Sequence, residues 1–343
     1  MTELSRAGRE RLAAIRGAGS LSALCDVVGA GDEHEAYFEA KDAWRLLRGR
    51  ELDAVDDDVE ADRRIPGATV RVGERPVHVH GITHADTTAE REYLRERVQR
   101  VLDAGDVVYC EQGIRGLYFR DVPGVCAMDD YRWALRECRR RGLETHVDGD
   151  PFDSLTEDVN ELASQFREAA FALVDASSDR FGRRFERAVG TVASEFFRSH
   201  ADHATGSDFA SFRLRERAAE DPSALWRLQR YYECAFLPQP LEREWLRRHD
   251  PELELVTHAR NARMADYVVH HADGTTSSGS SGQSGDSERG DSSEGGSEPA
   301  AGRSGFGDVH LVVGAAHQPG VRYYLERYRD GDRTVGPFDV VLG

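Results

Sequence analysis

Residues 308–314 read DVHLVVG, a run of mostly aliphatic and β-branched side chains that predicts a buried strand. The residues before it, from about 273 to 305, are mostly Ser, Gly, Asp and Glu. This composition cannot offset the entropy lost on ordering, so it predicts a disordered insertion. A core strand after such an insertion needs partner strands earlier in the chain. The insertion is therefore expected to interrupt one domain rather than separate two.

The remaining elements follow from hydrophobic periodicity. Further strands are predicted at Thr69–Val72, Pro76–Gly81 and Asp106–Cys110, near Glu144–Val147, and at Phe338–Leu342. Helices are predicted over residues 1–50, from about Thr88, over Tyr131–Arg141, over almost all of 153–272, and across 321–329.

Strands alternate with helices at both ends of the chain, which predicts an α/β (α+β) fold. We expect a central mixed sheet built from the N- and C-terminal segments, with a large helical insertion between them. Residues 1–65 are expected to form a helical N-terminal segment with an acidic linker. Residues 66–343 are expected to form one domain that contains the helical block of about 153–272.

The charge balance is strongly acidic. Among 343 residues, 62 are acidic and 45 basic, for a net charge of −17, and Lys41 is the sole lysine. High acidity with almost no lysine is typical of halophilic proteins, because carboxylates hold water and abundant salt screens their repulsion. The same charge argues against binding to nucleic acid or anionic membranes, which depends on clustered basic residues.

The five cysteines are scattered and show no CxxC spacing, so neither a disulfide framework nor a cysteine-bound zinc site is indicated. The first residues are charged throughout, unlike a signal peptide, and no apolar run is long enough to span a bilayer. These features predict a soluble cytoplasmic protein without membrane insertion. The oligomeric state is left open.

Two histidines share one local context. His84 follows the predicted strand Pro76–Gly81 in the string HGITH at residues 80–84, and His317 follows strand 308–314 in VVGAAHQPG at residues 312–320. Each has a strand, a glycine, two intervening residues, the histidine and then a helix. Polar residues at the carboxyl ends of core strands lie where α/β folds bind ligands. Such a repeat is less easily explained by chance than one isolated motif.

Two further strings carry charged or amide side chains. Glu111 ends a predicted strand in EQGIR at residues 111–115, and a buried carboxylate is costly unless it is paired or ligates something. A structural ion pair with Arg115 is the simpler alternative. Arg260 and Asn261 lie in RNARM at residues 260–264, where an asparagine inside a helix suggests a specific polar partner.

Together, these four strings resemble the TraB/PrgY family, which belongs with the Tiki proteases and the erythromycin esterases. The resemblance extends from about residue 76 to 321. It implies a hydrolase, metal-dependent in Tiki-like members, that cleaves a peptide or ester bond of a peptide or small-molecule substrate.

The resemblance also implies roles for individual residues. The catalytic set would be His84, Glu111, His317, Arg260 and Asn261. The substrate-binding set would be Arg115, Gly81 and Gly314, and a divalent metal, Mn or Co, would be held by His84, Glu111 and His317. In the esterases a histidine activates water instead, and the sequence does not choose between the two mechanisms. One departure is Ala259, where the family often has an acidic residue.

Two other hypotheses stay open. The first is a non-catalytic peptide-binding or regulatory protein that keeps the same pocket. The second is an amidohydrolase-like metal enzyme, because His78 and His80 lie on one face of a strand in an HxH pattern. A barrel of that class needs strands throughout the middle of the chain, where the sequence instead predicts helix.

Overall fold

The computed structural model describes residues 4–53, 65–143, 167–176, 182, 184, 188–194, 200–272 and 307–341. The predicted strand near Glu144–Val147 and the predicted insertion of about 273–305 lie outside these residues, as does most of the acidic linker. Among the described helices, none is both long and apolar enough to cross a membrane.

A five-stranded mixed sheet forms the centre of the protein. Its strands are β1 (Ala68–Val72), β2 (Arg75–Ile82), β3 (Val107–Cys110), β4 (Val125–Ala127) and β5 (Val309–Gly314). Their order across the sheet is β1-β2-β5-β3-β4. The β1 strand is antiparallel to β2, and all other neighbours are parallel. The C-terminal strand β5 therefore lies between two strands from the N-terminal half.

The central position of β5 explains its composition. Every residue of this strand is buried, because helices cover the sheet on both faces. Strands buried on both faces carry continuous rather than alternating apolar residues. On one face, Val309, Leu311 and Val313 pack with the helix that follows Arg260. On the other face, Val312 packs with the helix after β2.

Helices surround the sheet and fill the middle of the chain. Before β1 lie α1 (Arg6–Gly17), α2 (Leu21–Val28) and α3 (Glu33–Asp53), and between β2 and residue 143 lie α4 (Thr88–Asp103), α5 (Ile114–Tyr118) and α6 (Asp130–Arg140). Residues 167–176 and 188–194 are helical. Then follow α7 (His200–Thr205), α8 (Phe209–Glu220), α9 (Leu225–Ala235), α10 (Gln239–His249), α11 (Pro251–Glu254) and α12 (Arg260–Ala272), and after β5 comes α13 (Gln318–Arg329).

The predicted fold class is confirmed: strands from both ends of the chain form one mixed sheet, and a large helical segment lies between them. The predicted strand Phe338–Leu342 is wrong over 338–341, which are not in a strand. Side chains satisfy that backbone instead, since Val341 N donates to Asp129 (2.7 Å) and Asp339 O accepts from Arg263 (2.8 Å). The short strand β4 and helix α5 were not predicted.

The N-terminal helices share a core with the helical block. Leu12, Leu21 and Tyr37 belong to one buried cluster with Leu241 and Trp245 of α10. Tyr37 stacks on Trp245 with ring centroids 4.4 Å apart. The proposed division between residues 1–65 and 66–343 stays a prediction, but these contacts join the two parts closely.

The sole lysine lies in this shared core. Lys41 Nζ donates to the hydroxyl of Tyr37 (2.8 Å) and lies 3.1 Å from Oε1 of Glu242, whose side chain is completely buried. Glu242 also accepts from Tyr37 (2.6 Å) and from the backbone of Leu237 (2.7 Å). A buried carboxylate with this many partners depends on each of them.

We predict that Lys41→Met lowers the free energy of unfolding by about 3 kcal/mol, because Glu242 stays buried without its cation. Chemical denaturation at neutral pH measures the change. Arg6→Met is the control, since Arg6 pairs with Glu10 on an exposed helix surface and its loss costs less than about 1 kcal/mol. Equal stability of the Lys41 variant and the control would contradict the role given to this network.

Candidate functional site

The site lies where three parallel strands end side by side. Ile82 at the end of β2 pairs with Gly314 at the end of β5, and Cys110 at the end of β3 pairs with Val312. Residues that follow these strands therefore emerge at one edge of the sheet. This places His84, Glu111 and His317 together although they are far apart in the sequence.

The carboxylate of Glu111 lies at the centre of the site and is almost fully buried. Its Oε2 accepts a hydrogen bond from the backbone N–H of Gly314 (2.8 Å). Its Oε1 accepts one from Nη2 of Arg260 (2.6 Å). The alternative ion pair with Arg115 does not form, because Arg115 Nε donates to the carbonyl of Val125 (2.6 Å). The predicted substrate-binding role of Arg115 stays a prediction.

Arg260 joins Glu111 to a second buried carboxylate. Its Nε donates to Oδ2 of Asp130 at 2.8 Å, and Nη2 contacts the same oxygen. The other oxygen of Asp130 accepts from the backbone of Gln112 (2.8 Å). Asp130 thus provides an acidic partner for Arg260 despite Ala259, a role that was not predicted from the sequence. The neighbouring pair Asp129–Arg263 repeats the arrangement (3.0 Å), so the DD at residues 129–130 was the available signal.

Both histidines face Glu111. Nε2 of His84 lies 3.7 Å from Oε2, and Nε2 of His317 lies 3.6 Å from Oε1. The two imidazoles therefore approach opposite oxygens of one carboxylate. Their exposure differs, since the His84 side chain is 42% exposed and that of His317 is 15% exposed. His84 is the group at the mouth of the site.

The backbone of His84 is held in an unusual conformation. Its φ is +64°, a left-handed value that non-glycine residues adopt at a cost and that clusters at functional sites. The buried carboxylate of Glu90 fixes the loop by accepting from Thr83 N (2.8 Å), Thr83 Oγ1 (2.6 Å) and Ala85 N (3.2 Å). Tyr118 donates to the same carboxylate (2.6 Å). Glu90 and Tyr118 are thus further positioning residues, and this role was not predicted from the sequence.

His317 is positioned from behind by amide side chains. Its Nδ1 lies 2.7 Å from Oδ1 of Asn261, and Nδ2 of Asn261 lies 3.1 Å from Oε1 of Gln239. Asn261 is only 2% exposed, so its amide contacts these protein groups rather than solvent. A π-helical turn over Leu255–Ala259 immediately precedes Arg260 and Asn261. Such turns often occur at functional sites.

Electrostatics separate the protonation states of the central groups. Burial opposes ionisation of Glu111, but the two imidazoles and Arg260 outweigh it and hold the pKa of Glu111 well below its ordinary value. Burial lowers the pKa of His317 to about 4, although the charge of Glu111 opposes this shift. Near neutral pH, Glu111 is a carboxylate and His317 is a neutral imidazole.

Glycines make the close approach possible. A Cβ at Gly314 would lie 2.5 Å from Nε2 of His84, and a Cβ at Gly81 would lie 2.8 Å from Cα of Ala315. The predicted roles of Gly81 and Gly314 in substrate binding are untested, but both glycines leave space that a methyl group would fill. The repeated glycine of the two GxxH strings therefore has a steric reason.

The HxH pair lies away from this site, earlier along β2. His78 contacts Thr69 Oγ1 (2.8 Å) and Asp308 Oδ2 (3.1 Å). His80 contacts the carbonyl of Pro66 (3.2 Å) and Nδ1 of His310 (2.9 Å). All four ring nitrogens thus have protein partners, which a metal ion would have to displace.

The expected metal ligands His84, Glu111 and His317 do approach one another. Over the described parts of the chain, however, no group of three His, Cys, Asp or Glu side chains is arranged to hold a metal ion. Both oxygens of Glu111 already accept hydrogen bonds, and Arg260 supplies the positive charge that a cation would bring. The arrangement does not fit a preformed centre, and the expected Mn or Co ion stays a prediction.

Comparisons with protein-family models, with curated proteins and with solved structures found no match for this chain. The resemblance to the TraB/PrgY family therefore stays a prediction that rests on four short strings. The convergence of the two histidines on Glu111 is a feature of the structure and does not depend on that resemblance.

We predict that Gly314→Ala displaces the His84 ring and lowers the melting temperature, because the new methyl group overlaps Nε2 of His84. Gly116→Ala is the matched control: a Cβ there meets nothing within 4 Å, and replacing glycine within a helix is neutral or stabilising. Thermal unfolding and the histidine ring resonances measure both effects. An unchanged His84 resonance in Gly314→Ala would show that the ring does not lie against β5.

Proposed function

We propose that the protein is a hydrolase that cleaves a peptide or ester bond at the site formed by His84, Glu111 and His317. The observation that carries this proposal is the backbone of His84, held at positive φ so that its ring faces an ionised, buried carboxylate. A second imidazole faces the same carboxylate from the other side. Strain of this kind is retained where the surrounding structure enforces it, and it is common at active sites.

In this proposal His84 is the general base. Its ring is the more exposed of the two, and because Nε2 faces Glu111, Nδ1 is the nitrogen that accepts a proton from water. Glu111 stabilises the imidazolium that forms after proton transfer. The activated water attacks the carbonyl carbon of the substrate. The proton on His84 then passes to the leaving alcohol or amine, which balances the reaction.

Arg260 and Asn261 support the reacting groups from the protein interior. Arg260 donates to Glu111 and Asp130, and Asn261 contacts His317 and Gln239, so their donors are already engaged. We assign them positioning roles: Arg260 keeps Glu111 ionised, and Asn261 orients His317. These positioning roles involve no direct contact between either side chain and a developing oxyanion.

We predict that His84→Ala lowers hydrolysis by about 10²- to 10⁴-fold, the usual contribution of general acid–base catalysis, and that His317→Ala also lowers it. A panel of ester and peptide substrates with chromogenic leaving groups measures the rates. His270→Ala is the control, because His270 stacks on Phe338 outside the site.

The same preparation distinguishes the alternatives. Metal analysis of protein purified without chelator, with rates before and after chelator treatment, tests the Mn or Co expectation. Variants of both site histidines that hydrolyse the panel as fast as the wild type would refute the proposal. Peptide-dependent thermal stabilisation without turnover would favour the non-catalytic binding protein instead.

A further inference from the structure

A chain of polar groups leads from His317 into the helical block. After Asn261 and Gln239, it continues from Oε1 of Gln239 to Nδ1 of His258 (3.3 Å). It ends where Nε2 of His258 meets the backbone carbonyl of Ala204 (3.0 Å). Gln239, His258 and Asn261 are each only 2% exposed. Solvent therefore cannot supply a partner, and each contact needs one donor and one acceptor from the protein groups themselves.

The direction of the hydrogen bond between His258 and Ala204, at the far end of this series of polar groups, is fixed. A backbone carbonyl can only accept, so Nε2 of His258 must carry a hydrogen and donate it to Ala204. Burial disfavours a second proton on His258 and lowers the pKa of its imidazole. The carboxylates of Glu242 and Glu254 favour the charged form and Lys41 opposes it, but burial is the largest effect. A neutral His258 leaves Nδ1 as a hydrogen-bond acceptor.

An acceptor at Nδ1 of His258 determines the orientation of both amides. Gln239 must turn its side-chain amino group toward His258 and donate to it. The same amino group then faces Asn261, whose side-chain carbonyl oxygen must accept its second hydrogen. The amino group of Asn261 is left facing Nδ1 of His317. This arrangement requires only 180° rotations of the two amide groups, which exchange nitrogen and oxygen at nearly unchanged positions.

The opposite amide orientation has a specific cost. With Oε1 of Gln239 toward His258, both nitrogens of His258 must donate, so a buried imidazolium is required. With the amides rotated, all four contacts are satisfied and both histidines are neutral. The charge on His258 and the choice of the ring nitrogen that carries the proton on His317 therefore change together.

We propose that His258, acting through Gln239 and Asn261, places the ring proton of His317 on Nε2, the nitrogen that faces Glu111. The two histidines of the site then differ in kind. Nε2 of His317 presents an N–H donor on the side where Glu111 lies, suited to hold a carbonyl oxygen or a water molecule, whereas His84 remains the acceptor. His258 and Gln239 are positioning residues. The catalytic meaning rests on the proposed function, but the proton positions do not.

Histidine-selective ¹⁵N NMR of the wild-type protein at pH 7.5 tests the proposal directly, because protonated and unprotonated ring nitrogens have separate resonances. Signals are assigned from the spectra of His317→Gln and His258→Gln. We expect both rings to be neutral with the proton on Nε2. A proton on Nδ1 of His317, or a doubly protonated His258, would overturn the proposal.

Gln239→Glu tests the linkage. A carboxylate at this position only accepts, so His258 and Asn261 must both donate to it, and Asn261 then turns its carbonyl toward His317. We expect the proton of His317 to move to Nδ1. Gln112→Glu is the matched control. It adds the same charge beside Glu111, keeps the acceptor for Arg132 N (3.0 Å), and leaves the hydrogen bonds between His317 and His258 unchanged. An unchanged His317 tautomer in Gln239→Glu would refute the linkage.

The two proposals fail in separate ways. If neither histidine of the site affects hydrolysis, the proposed function fails while the NMR result stands. If Gln239→Glu does not fold, the wild-type spectrum alone decides the tautomer. Where hydrolysis is measurable, the inverted tautomer predicts a fall in kcat of at least about tenfold for Gln239→Glu, within the range of one acid–base or donor contact.

Discussion

Glu111 is a buried, ionised carboxylate at the end of β3, and its charge must be compensated by neighbouring hydrogen-bond donors. The arrangement of the site follows from that requirement. Glu111 gains one hydrogen bond from the backbone of β5 and one from Arg260 of α12, so three separate parts of the chain meet at its two oxygens. Removing an ion from water is expensive unless such partners are in place. The sheet and the helical segment are thereby joined at one point.

The compensation extends outward through further buried groups. Asp130 at the start of α6 shares Arg260 with Glu111, and Glu90 at the start of α4 fixes the loop that carries His84. Helices that begin at the carboxyl edge of the sheet therefore contribute polar side chains from their first turns. This edge is where parallel sheets commonly bind ligands. Helices pack on both apolar faces of the sheet, and the site lies at its polar edge.

The sequence predicted the parts whose signal is local. The β-branched run of β5, the GxxH string after each of two strands and the glutamate at a strand end all show within a few residues. Asp130, Gln239 and His258 were missed because their importance comes from partners tens to hundreds of residues away. The three-residue strand β4 is too short for periodicity, and Phe338–Val341 resembles a strand but bonds to side chains instead.

The most direct test of this account is the histidine NMR spectrum of Glu111→Gln, an isosteric change that removes one charge. If the carboxylate is shared by both imidazoles, the ring resonances of His84 and His317 both move, while those of His34 and His249, which lie against Trp245, stay in place. If either site histidine is unaffected, the two rings do not converge on Glu111, and the shared site is contradicted.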